Sequence, residues 1–191
     1  MNDPGLREEL QKIDKVISIE KDLEDQITSI QKLKTQYPHS IELVVEETKV
    51  IKIVHDYDNG VYLNCYMFCF DIKWGDIKNK SQNGSQKFPV NEYACHLIKN
   101  FLCEIDHTKA EDGDYVIYFS DDKPQHAGRF CGGKIISKWG KYHVWRHGLL
   151  EVPTRYGEEV RYFKKISKDQ CLLAFEQWSN PNKTFSVKRN S

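Results

Sequence analysis

A glycine pair at Gly132-Gly133, set between two runs of strand-forming residues, restricts this chain more than any other feature. A two-residue hairpin turn needs positive φ at both central positions, which glycine adopts without steric cost. Upstream, Asp114–Ser120 reads as a strand, then comes a polar turn closed by Pro124, then a second strand carrying His126 near its start. Downstream, Lys134–Trp139 reads as a third. The expectation is a three-stranded antiparallel meander with one histidine on its middle strand. An imidazole can take or give a proton near neutral pH, so a strand-borne histidine suits the role of general base.

The rest of the chain must cover this meander. Its 191 residues suit one domain burying about 70% of its unfolded surface. Lys plus Arg equals Asp plus Glu at 28 each, so there is no net field to attract nucleic acid or acidic lipid, and neither partner is expected. The charged start and the lack of any apolar run of about 18 residues imply no export signal, no membrane span and a cytoplasmic location. The six cysteines then read as reduced thiols, and they show no CxxC. Cys65, Cys69, Cys95 and His96 lack the spacing of a structural zinc site, so no metal or cofactor is expected.

Residues 1–38 form the first unit. Leu6, Leu10, Ile13, Val16, Leu23, Ile27, Ile30 and Leu33 recur at helical spacing from Pro4 to about residue 36, as one amphipathic helix or two. Such a stripe covers the domain's own core or, over residues 5–34, docks a partner or a second copy. Residues 39–167 form the α+β domain. Ile41–Val54 reads as a long strand or a hairpin, and Asp56–Gly60 as a turn. The polar stretch Trp74–Lys87 reads as a mobile loop that can act as a flap. Pro89 opens a helix whose face is Val90, Tyr93, Ala94, Leu97, Ile98, Phe101, Leu102 and Ile105. Strands are expected at Tyr142–His147 and Val160–Lys164, and residues 168–191 give a short helix, Gln170–Trp178, and a polar tail.

Asn64-Cys65 offers the chemical counterpart of His126. Asn64 is a good N-cap, which places Cys65 in the first turn of a helix, where unpaired backbone amides favour thiolate. The bland alternative is packing, the usual role of a cysteine in an apolar helix. His143 and His147, four residues apart on one strand, would lie about 13 Å apart, too far to share a metal, so at most one serves the site.

Taken together, Asn64-Cys65 opening a helix, a second helix, Gly113-Asp-Tyr-Val-Ile-Tyr-Phe, His126-Ala-Gly and the following Gly-Gly-Lys-Ile-Ile-Ser-Lys-Trp-Gly resemble the NlpC-type and CHAP-type branch of the papain-like cysteine hydrolases. The likeness spans residues 60 to about 165; Asn64 departs from the Asp common in the NlpC branch. It implies an antiparallel sheet packed on a Cys-bearing helix, with Cys65 as nucleophile and His126 as base. Ser137 would orient the imidazole, with His143 or His147 as alternatives. The implied activity is a thiol peptidase or amidase acting on a peptide or other amide, a chemistry that fits an effector or toxin as well as a housekeeping amidase. A non-catalytic binding or inhibitory module and an acyltransferase are the other readings of the same scaffold.

Overall fold

The computed structural model describes residues 4–19, 35, 41–45, 64–77, 88–139 and 143–181. These form an α+β structure: one seven-stranded antiparallel sheet with helices on both faces. In chain order the elements are α1 (Pro4–Ile19), β1 (Ile41–Val45), α2 (Cys65–Cys69), α3 (Trp74–Ile77), α4 (Asn91–Asn100), β2 (Glu104–Ile105), β3 (Tyr115–Ser120), β4 (Lys123–Cys131), β5 (Lys134–Trp139), β6 (His143–His147), β7 (Glu159–Phe163) and α5 (Lys168–Ser179). The strands lie in the order β1-β6-β5-β4-β3-β7-β2.

The meander is built by its turns. Gly132 and Gly133 sit at φ 57° and 76°, as the β4–β5 hairpin requires. Asp121 and Asp122 adopt φ 50° and 59° to turn β3 into β4, so this turn closes two residues earlier than expected and Pro124 lies inside β4. Pro124 faces Phe119 where the register shifts, which is where a residue without an N–H is tolerated in a ladder.

Alternation along the strands divides the core into two layers. Tyr115, Ile117, Phe119, Ala127 and Phe163 pack with α2, α4 and α5 on one face. Val116, Tyr118, Ile135, Trp139 and Trp145 pack on the other face with Leu6 and Leu10 of α1, Val152 and Tyr156. Tyr115–Phe119 is buried throughout because β3 is covered on both sides, which explains its unbroken apolar run. The link from β6 to β7, residues 148–158, must pass β5, β4 and β3 to reach the far side of β3. It does so on the α1 face, the other face being filled by helices.

Several expectations are corrected. The Pro89 helix ends at Asn100, because Ile105 is taken into the sheet edge opposite Tyr162. Trp74–Ile77 is a helix rather than loop; Lys73 N–H donates to Asp76 at 2.8 Å, Trp74 and Ile77 are buried, and Trp74 stacks on Phe88. The terminal helix is longer than expected and begins at a Ser167/Gln170 capping box. The helical stripe beyond Ile19 apart from Thr35, the continuation of the Ile41 strand past Val45, the Asp56–Gly60 turn, residues 78–87 and the tail beyond 181 lie outside the described residues. No helix among the described residues is long and apolar enough to cross a membrane.

Candidate active site

Cys65 is the first residue of α2, as its sequence neighbour implies: the Asn64 side chain accepts from Met67 N–H at 2.9 Å and donates to Pro89 O at 2.8 Å. This ties the start of α2 to the start of α4. The other end is held by β4, whose Arg129 donates to Cys69 O at 2.9 Å and Phe68 O at 2.7 Å. The Cys69 thiol donates to Gly128 O at 3.1 Å. The helix is therefore clamped across β4, and the Cys65 sulfur lies against the backbone amide of Ala127, the residue after His126. Burial pushes the Cys65 thiol up to about 11; the amides of Ala127, Tyr66 and Cys65 itself, with the charge of Arg155, pull the other way. At neutral pH it is a thiol.

His126 pairs with Tyr118 across the β3–β4 ladder and is 1% exposed. Its ring stacks flat on Tyr156, with centroids 3.9 Å apart and planes 4° apart, and lies 5.6 Å from the Tyr118 ring. Burial holds its pKa well below the ordinary histidine value, and the positive fields of His147 and Arg155 act in the same direction. Its Nε2 is buried with no hydrogen-bond partner among the described residues. An unpaired buried polar atom costs about 1–3 kcal/mol. Cys65 thus lies on the α2 face against the Ala127 amide, whereas His126, one residue earlier on β4, points to the opposite face with Tyr118 and Tyr156, and no hydrogen bond joins their side chains.

The residues expected to orient His126 are engaged elsewhere. His147 Nδ1 lies 2.7 Å from Gly148 O, which can only accept, so the neutral ring carries its proton on Nδ1. His147 Nε2 therefore accepts from the Ser137 hydroxyl at 2.8 Å, and Ser137 Oγ accepts from Trp139 Nε1–H at 3.0 Å. Burial lowers His147 to about 4, and this chain ends on a backbone carbonyl. Ser137 and His147 consequently brace β5 against β6 rather than aligning His126. His143 opens β6 opposite Trp139; its side chain lies outside the described residues.

Sequence reasoning missed the crossing segment. Tyr156 covers His126, and Arg155 sits with its guanidinium 5.2 Å from the Tyr156 ring centre. Neither residue lies near Cys65 or His126 in sequence. The one local signal was Gly157, whose φ of 105° and closeness to Phe119, 2.4 Å from an added Cβ to the carbonyl oxygen, mark a tight docking point on β3. Among the described residues no group of three or more His, Cys, Asp or Glu is placed to hold a metal ion.

A family model described as "Domain of unknown function (DUF7689)" matches residues 54–164, more than half of the chain. Searches of curated proteins and of solved structures return no match.

Proposed function

Because the chain belongs to the DUF7689 family, a domain of unknown function, we propose its activity from the site itself: a papain-like thiol hydrolase acting on an amide bond, with Cys65 as nucleophile and His126 as base. The observation that carries this reading is the convergence of the Cys65, Tyr66 and Ala127 amides on one sulfur, one residue along β4 from a buried imidazole that faces the opposite side of the sheet. In the working cycle His126 takes the thiol proton, the sulfur attacks the amide carbonyl, and the nearby backbone amides hold the oxyanion. His126 returns the proton to the leaving amine, and water then hydrolyses the thioester. The pair must first meet side chain to side chain, which requires the His126 ring to leave Tyr156 and come round to the α2 face, since the thiol and imidazole are both neutral and lie on opposite sides of the sheet in the arrangement described.

Iodoacetamide labelling under native conditions, read by peptide mapping, tests the assignment. Cys65 should label more slowly in His126→Gln than in the wild type, and Cys65→Ala should abolish amine release from peptide amides without lowering the melting temperature. Both activities unchanged would remove Cys65 from the reaction.

A second reading is favoured by one specific observation: His126 has no side-chain hydrogen bond among the described residues, and the expected orienting groups are committed to each other. The scaffold would then be a non-catalytic binding module. Its signature is Cys65 labelling at the same rate with and without His126.

A further inference from the structure

Residues 148–158 lie across the sheet directly over the candidate base. Val152 is fully buried, Tyr156 is stacked on His126, and the segment rejoins the sheet where Glu158 N–H donates to Phe119 O at 3.0 Å. It is gripped from outside by α1. Arg7, 4% exposed, donates from Nε to Val152 O at 3.2 Å and from Nη2 to Gly157 O at 2.8 Å. Gln11 Oε1 accepts from Arg155 N–H at 2.9 Å and from Thr154 Oγ1 at 3.2 Å. Four hydrogen bonds from two residues of one helix thus fasten both ends of the short 3-10 turn Thr154–Tyr156.

We propose that segment 148–158 is a closed cover over His126 and that α1 is the latch holding it shut, so that undocking of α1 uncovers the imidazole. The closed arrangement leaves His126 Nε2 buried without a hydrogen-bond partner among the described residues, a cost that opening to solvent would relieve. The latch holds this arrangement in place. It also lies apart from the family region: residues 54–164 contain His126 and the cover, whereas Arg7 and Gln11 precede them. The cover therefore belongs to the shared domain and the latch to an added helix. As a regulatory device the proposal rests on the thiol-hydrolase reading; as a statement about opening it does not.

The experiment is hydrogen exchange on the full chain, read at residues 150–158 and at the β3 core, for wild type, Gln11→Ala and Arg7→Met. Gln11 is partly exposed and its truncation removes two of the four bonds without creating a cavity, so it remains informative if Arg7→Met fails to fold. Exchange in the cover should rise about tenfold or more in Gln11→Ala while β3 stays protected. Unchanged protection of 150–158 in a folded Gln11→Ala protein with α1 exchanging freely would overturn the latch. The two proposals fail separately. A cover that opens in a protein whose Cys65 labels at the same rate with and without His126 defeats the hydrolase reading alone, and amide hydrolysis at equal rates with the cover still protected defeats the latch alone.

Discussion

At the scale of single residues, the buried histidines decide how the protein responds to acid. His147 titrates at about 4 in the fold against an ordinary 6.5, with burial as the main cause. Below 6.5 the unfolded chain takes up a proton that the folded chain refuses, so stability present at neutral pH is lost as pH falls from about 6.5 towards 4. His147 alone accounts for roughly 3 kcal/mol of that loss at most, and His126 adds to it in the same direction. Urea midpoints at neutral and mildly acidic pH should therefore decline together with pH; a constant midpoint across that window would show that these rings are hydrated. Ser137→Ala should cost about 1–3 kcal/mol at neutral pH, since it strands the buried Trp139 N–H and His147 Nε2 at once. That substitution should leave Cys65 labelling unchanged, which separates a bracing serine from a catalytic one.

At the scale of elements, the five-residue α2 is too short to be stable by itself and is made by its anchors. Asn64 fixes its start and reaches out to Pro89, and Arg129 reaches in from β4 to fix its end. Asn64→Ala should lower stability by about 1 kcal/mol through the lost cap. It also frees the first turn that positions the Cys65 sulfur, so labelling kinetics at Cys65 should change by more than the small stability loss explains. An Asn64→Asp protein keeps the cap and loses only the bond to Pro89 O, so it should fall between the two. Equal labelling in all three would mean that the sulfur is placed by β4 alone.

At the scale of the whole molecule, α1 and the crossing segment form one lid on the second core layer, through Leu6, Leu10, Val152 and Tyr156. Deleting residues 1–38 uncovers Tyr118, Trp139 and Trp145 and removes the burial of Leu6 and Leu10, each contributing about 1.5–3 kcal/mol. Against a typical margin of about 5–15 kcal/mol, the fragment should melt well below the full chain or not fold. A cooperative, monomeric fragment with an unchanged melting temperature would show that α1 docks without supporting the core. Local sequence was enough for the features governed by neighbouring residues: the Gly132-Gly133 hairpin, the meander, the Asn64 cap and the helical stripe beginning at Leu6. These depend on φ preferences, capping and period, which act within a few residues. The surroundings of His126 were decided only by the tertiary structure. That Ser137 serves His147 follows from the pairing of β5 with β6, and that Tyr156 lies flat on the imidazole and that Arg7 reaches Val152 and Gly157 follow from the passage of residues 148–158 over three strands. Contacts between residues 10 to 150 positions apart leave no periodic trace in a sequence, because the geometry that creates them exists only once the sheet has closed.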